Sequence, residues 1–159
     1  MTRLAAVLLL LLPFAGHADE RILSFHSDIR VMADGVVEVT ETIRVRAEGK
    51  RIRRGIYRDF PTEYEDRLGN EFKVAFEPLA VLRNDRPEAF HTQDVRRGVR
   101  TYFGSANAFI DAGEHSYTFR YRVGRVLGFF EAHDELYWSA HADDYLHWYV
   151  AGWASPQNE

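Results

Sequence analysis

Apolar side chains recur along this chain with a period of two, and no window of a dozen residues carries a convincing period of 3.6. In residues 22–31, Leu23, Phe25, Ile29 and Val31 share one face with Ser27, while Ser24, His26, Asp28 and Arg30 share the other with Ile22. The turn signal Asp34-Gly35 follows, and then Val37, Val39, Ile43 and Val45 line one face opposite Glu38, Thr40, Thr42, Arg44 and Arg46. Residues 22–46 are therefore expected to form a β-hairpin. Phe72, Val74 and Phe76 alternate with Lys73, Ala75 and Glu77 up to Pro78, which marks a bulge or an edge. Val99, Thr101 and Phe103 alternate with Arg100 and Tyr102, and Tyr117, Phe119, Tyr121 and Val123 with Ser116, Thr118, Arg120 and Arg122. Shorter apolar runs stand at Leu136-Tyr137-Trp138 and at residues 145–150. Asp66-Arg67-Leu68-Gly69-Asn70, Asn84-Asp85-Arg86-Pro87 and Asp111-Ala112-Gly113 are turn signals, and the polar stretch 83–98 is expected to be a surface loop. About six to eight short strands of this kind predict an all-β fold, an antiparallel, immunoglobulin-like β-sandwich.

The first 18 residues have a different character. Arg3 precedes an apolar run at residues 4–14, and Gly16 and Ala18 put small side chains where a signal peptidase reads them. The run spans about eleven residues, short of the ~20 that a membrane-spanning helix requires. The expected organisation is a signal peptide at 1–18, cleaved between Ala18 and Asp19, a β-sandwich domain at 19–150 and a C-terminal tail at 151–159. The chain would then be exported, to the periplasm or the extracellular face of the membrane. The apolar run Val126-Leu127-Gly128-Phe129-Phe130 is too short to cross a membrane.

Composition narrows the function classes. The 159 residues contain no cysteine, which removes disulfides, thiolate zinc sites and cysteine nucleophiles together. A formal net charge of -4 argues against nucleic acid as a partner. Gly104-Ser105-Ala106 lacks the outer glycines of a nucleophile elbow, and there is no glycine-rich phosphate loop. Carboxylates are plentiful, yet no pair of them marks a hydrolytic cleft. His133, His141 and His147 lie among Asp134, Glu135, Asp143 and Asp144. On a continuous strand, however, His141 and His147 would stand about 20 Å apart at ~3.3 Å per residue, too far to share one ion. No catalytic residue, metal or cofactor is expected.

The most unusual local feature is Lys50-Arg51-Ile52-Arg53-Arg54-Gly55-Ile56-Tyr57-Arg58, with five cations in nine residues of a net-negative chain. Because arginines alternate with Ile52 and Ile56, they are expected on one strand face. Arginine forks suit phosphate and carboxylate groups, so Arg51, Arg53, Arg54 and Arg58 are the candidate anion-docking residues. The competing reading pairs the run with Glu48, Asp59, Glu63 and Glu65 as a solvated edge. Glu41 falls on the apolar face between Val39 and Ile43, where a carboxylate is either partnered or neutral. The functional reading is a tuned acid; the favoured structural one is a buried pair with an arginine such as Arg54 or Arg58, or a point where the strand bends out. Tyr57, Phe60 and Tyr64, and Trp138, Tyr145, Trp148, Tyr149 and Trp153, are either core or exposed stacking aromatics, while Tyr117, Phe119 and Tyr121 are expected in the core.

Four stretches together carry a family resemblance. They are Asp34-Gly35 with Val39-Thr40-Glu41; Arg54-Gly55-Ile56-Tyr57-Arg58-Asp59-Phe60-Pro61; Tyr117-Thr118-Phe119-Arg120-Tyr121; and Asp134-Glu135-Leu136-Tyr137-Trp138. In this order, behind a signal peptide, the chain resembles the N-terminal extracytoplasmic domain of the YciQ-type predicted bacterial membrane proteins. The resemblance implies a β-sandwich sensor or interaction domain and carries over no catalytic residue. It also implies an Asn-containing turn after the tryptophan, further strands, transmembrane helices and a Gly/Ser-rich tail, whereas here Ser139-Ala140-His141-Ala142-Asp143-Asp144 replaces the expected turn and the sequence stops at Glu159. Membrane association is therefore expected only if the chain is a fragment of a longer protein. The leading expectation is an exported, non-enzymatic binding or interaction domain whose partner is an anionic envelope component or a protein. The alternatives are a carbohydrate-binding or carbohydrate-cleaving sandwich, and a truncated extracytoplasmic part of a longer membrane protein.

Overall fold

The computed structural model describes residues 20–65, 69–129 and 134–136. Every strand pairing among them is antiparallel and no helix is present among them. Strands β1 (Arg21–Val31), β2 (Val37–Ala47), β6 (Ala75–Arg83), β7 (Arg86–Pro87) and β10 (Gly113–Gly124) make a five-stranded sheet in the order β1-β2-β10-β6-β7. Strands β3 (Ile56–Pro61), β8 (Phe90–Val95) and β9 (Gly98–Phe103) make a second sheet, β3-β9-β8. Two small ribbons complete the described part, β4 (Glu63–Glu65) with β5 (Glu71–Lys73) and β11 (Leu127–Phe129) with β12 (Asp134–Leu136).

The two larger sheets meet face to face through aromatic rings. Phe60 of β3 stacks on Phe76 of β6 at 4.4 Å and meets Tyr121 of β10 edge-on at 5.5 Å. Phe103 of β9 lies 4.8 Å from Phe119 of β10. Burying a side chain of this size contributes roughly 1.5–3 kcal/mol. The all-β antiparallel expectation is met, and Tyr117, Phe119 and Tyr121 are all fully buried as read from their alternation. Tyr57 and Phe60 also prove to be core.

The expected hairpin is β1–β2, closed by the Gly35 N–H donating to the Met32 carbonyl at 3.0 Å, with Gly35 at φ 80°. Along β2 the predicted alternation is complete. Along β1 it is not: the register shifts between Ile22 and Ser24, so Leu23 is the extra residue and Ile22 lies opposite Val45. This bulge turns Ile22 onto the core side, where it packs against the core as Phe25 does, instead of onto the polar face.

Two other expectations change. The run 72–77 is not one strand, because the Val74 N–H turns to the Thr62 carbonyl at 2.9 Å and divides it into β5 and β6. Pro78 in β6 does sit at a register shift, as expected. The stretch 83–98 is not a loop but holds β7 and β8. Asn84 and Asp85 take φ of 51° and 62° and make the tight turn into β7, while Arg97 at φ 63° turns β8 back into β9. β8 lies at the edge of its sheet with mostly exposed side chains, so no apolar period announces it. The expected signal peptide, the histidines at 133, 141 and 147, and the aromatics Trp138, Tyr145, Trp148, Tyr149 and Trp153 lie outside the described residues.

Candidate functional site

The basic run divides into a turn and a strand. Residues 50–55 do not form the expected strand face; regular pairing begins only at Ile56 in β3. Two glycines bound the turn, Gly49 at φ 70° and Gly55 at φ 133°, conformations that residues with a side chain rarely adopt. Between them the backbone folds around a carboxylate. Glu20 accepts the N–H groups of Glu48 at 2.8 Å, Lys50 at 3.0 Å, Arg51 at 2.6 Å and Ile52 at 3.3 Å. A concave set of N–H groups of this kind is an anion nest, and here the chain's own Glu20 fills it. Partial burial by itself would raise the Glu20 pKa, but the four backbone bonds together outweigh it and hold the carboxyl below its ordinary range.

Ile52 anchors the turn from below, fully buried, and the Arg53 carbonyl accepts the Ile110 N–H at 2.9 Å. Lys50, Arg51 and Arg53 are left exposed and Arg54 half-buried. The guanidinium carbons of Arg53 and Arg54 lie 5.2 and 4.5 Å from the centroid of the Phe109 ring, and Phe109 is itself 62% exposed. Stacked on an aromatic face, an arginine keeps its forked edge free for a planar anion. The Arg54 Nε is buried and donates to no acceptor among the described residues.

The acids nearby in sequence are engaged elsewhere. Asp59 takes both ends of Arg100 at 2.6 and 2.7 Å, Glu63 pairs with Lys73 at 2.6 Å, and Glu48 lies 3.4 Å from Lys50. Among the described residues no carboxylate lies within ion-pair distance of Arg51, Arg53 or Arg54.

Arg58 goes the other way. Its side chain is 11% exposed and points into the sandwich, where Nε and Nη2 each donate to Glu41 at 3.3 Å. The Tyr121 hydroxyl donates to the same carboxylate at 2.8 Å, and the spare Nη1 of Arg58 donates to the Asp59 carbonyl at 2.9 Å. Glu41 is the buried, arginine-paired carboxylate expected from its place on the apolar face. Burial and then the Glu41 charge push the Tyr121 hydroxyl pKa well above its ordinary value, so this tyrosine stays protonated and donates. The structure thus brings Arg51, Arg53 and Arg54 to one turn and removes Arg58 to the core as a cross-sheet tie. Glu20 and Phe109 complete the site and neither stood out in the sequence. Phe109 is a single aromatic in an irregular segment, and Glu20 precedes the first strand.

Ser105 is a turn residue, its hydroxyl accepting the Asn107 N–H at 3.2 Å. Among the described residues no group of three or more His, Asp or Glu side chains is placed to hold a metal ion, and no helix is long and apolar enough to cross a membrane.

A family model described as "Predicted membrane protein (DUF2207) N-terminal domain" matches residues 21–149. The uncharacterized protein YciQ of Escherichia coli (strain K12) is 27% identical over 106 residues, which cover 66% of this chain and 17% of that protein. The chain therefore spans less than a fifth of the length of that relative. No solved structure matches.

Proposed function

The chain belongs to the DUF2207 N-terminal-domain family of predicted membrane proteins, and from that membership we propose that it is an exported, non-enzymatic β-sandwich that binds an anionic partner at the cell envelope. The supporting observation is the turn at Arg51, Arg53 and Arg54, where three guanidinium groups have no acidic partner among the described residues and two of them rest on an exposed phenylalanine. The partner chemistry is phosphate or carboxylate, carried by a lipid headgroup or by an envelope polymer. Export rests on the residues before Glu20: the positive Arg3, the apolar stretch and the small residues that predict cleavage after Ala18.

Docking through an exposed turn is weak and salt-sensitive, because screening acts over ~8 Å at physiological ionic strength. Vesicles containing phosphatidylglycerol and an isolated anionic wall polymer are the two probes, with uncharged vesicles and neutral glycans as controls. Binding to either anionic probe that fades between low and physiological salt supports the reading, and which probe binds identifies the source. Arg51→Glu with Arg53→Glu should abolish that binding with the thermal midpoint nearly unchanged, since exposed charges contribute under ~1 kcal/mol to folding. Binding to neutral glycans alone would replace this reading with the carbohydrate alternative. Fractionation with N-terminal sequencing tests export: a chain beginning at Asp19 outside the cytoplasm is expected, and an intact Met1 in the cytosol would refute it.

A further inference from the structure

Strand β1 runs for 11 residues at the edge of the five-stranded sheet, and among the described residues no strand pairs with its outer side. Which backbone groups it offers follows from the ladder. The Met32 N–H donates to the Val36 carbonyl at 2.8 Å, and bonded pairs recur at every second position of an antiparallel ladder. Arg30, Asp28 and His26 therefore bond to β2, while the N–H and C=O groups of Phe25, Ser27 and Ile29 point away from it. The same edge carries apolar surface. Ile29 is 38% and Val31 52% exposed, although the residues beside them in the ladder, Val39 and Val37, are fully buried.

We infer that β1 pairs with β1 of a second copy of this chain, antiparallel, with the two-fold axis at Ser27. The occupant follows from complementarity on both faces of the strand. In this register Phe25 lies beside Ile29 of the other copy on the core side, covering the exposed isoleucine. On the outer side His26 lies beside Asp28 of the other copy and Ser24 beside Arg30. His26 and Asp28 already lie 3.6 Å apart within one strand, both largely exposed, so the joined strands make a four-residue cluster in which imidazoles alternate with carboxylates. An axis at His26 or at Asp28 would set like groups against each other. An axis at Ile29 would carry Phe25 past the end of the partner strand at Val31. The bulge at Leu23 ends the pairing, which leaves about six backbone bonds, two for each bonded pair. This interface is separate from the arginine turn and does not depend on anion docking.

Sedimentation equilibrium of the full chain over a wide concentration range should show a monomer–dimer equilibrium. Asp28→Lys should weaken it about tenfold, since symmetry counts the changed pair twice, and adding His26→Glu should restore it to within about threefold. Ser27→Pro removes an outward N–H but no bond to β2, so it should abolish self-association while the thermal midpoint holds. The chain has no cysteine of its own, which permits a register test. Mixed His26→Cys and Asp28→Cys chains should form an interchain disulfide on mild oxidation, and neither alone should. A chain that stays monomeric at every concentration overturns the proposal. So does a dimer that ignores Ser27→Pro or fails to cross-link in the mixture.

Discussion

At the scale of single residues, the buried polar cluster of Glu41, Arg58 and Tyr121 is the most consequential contact in the sandwich, because the fully buried Glu41 carboxylate accepts from both of the other side chains. Arg58→Met leaves a fully buried carboxylate without its cation and should destabilise the fold by about 3–5 kcal/mol in urea denaturation. The double change Glu41→Leu, Arg58→Met removes both charges and should return most of that loss; a double variant as unstable as the single one would contradict the pairing account. The two buried tyrosines make a sharper contrast. The Tyr121 hydroxyl donates to Glu41, whereas the Tyr117 hydroxyl has no partner among the described residues, and burial is the main cause that pushes its pKa up. Tyr121→Phe should therefore cost about 1–3 kcal/mol, while Tyr117→Phe should be neutral or slightly stabilising. Equal losses at both positions would show that the Tyr117 hydroxyl finds a partner after all.

At the scale of elements, the connections are where backbone geometry overrides side-chain pattern. Gly55 enters β3 at φ 133°, and a Cβ there would meet the Phe103 carbonyl oxygen at 1.8 Å. Gly55→Ala should therefore lose about 3 kcal/mol or more and loosen the β3–β9 ladder, visible as faster amide exchange along Ile56–Pro61. Arg97 turns β8 into β9 with a positive φ that costs an L-residue about 1 kcal/mol, so Arg97→Gly should raise stability by up to that amount. The turn that holds Glu20 is sensitive to acid. Its folded pKa lies below the ordinary 4.5, so ionised Glu20 contributes stability above that pH and loses it as the pH falls through the folded value. Between neutral pH and pH 3, Glu20→Gln should lose less stability than the parent chain does. Parallel losses would mean that the nest does not hold the carboxylate in solution.

At the scale of the whole molecule, the two larger sheets share one aromatic core, so they should unfold together. Far-ultraviolet circular dichroism and tyrosine absorbance should trace a single urea transition, and separated midpoints would mean that the sheets are independent units. The sequence by itself determined the all-β class, the β1–β2 hairpin and the buried faces of β2 and β10. Alternation is a local property: a side chain and the next but one share a face whatever the strand pairs with. It also marked Glu41 as a carboxylate in need of a cation. Tertiary structure alone decided that the cation is Arg58 and not Arg54. It also decided that the neighbouring arginines form a turn instead of a strand face, and that the polar stretch 83–98 holds two strands. These outcomes rest on contacts distant in sequence. Arg58 reaches Glu41 across 17 positions and Glu20 reaches the turn across 28 to 32. An edge strand such as β8 buries no face, and so leaves no period in the sequence to announce it.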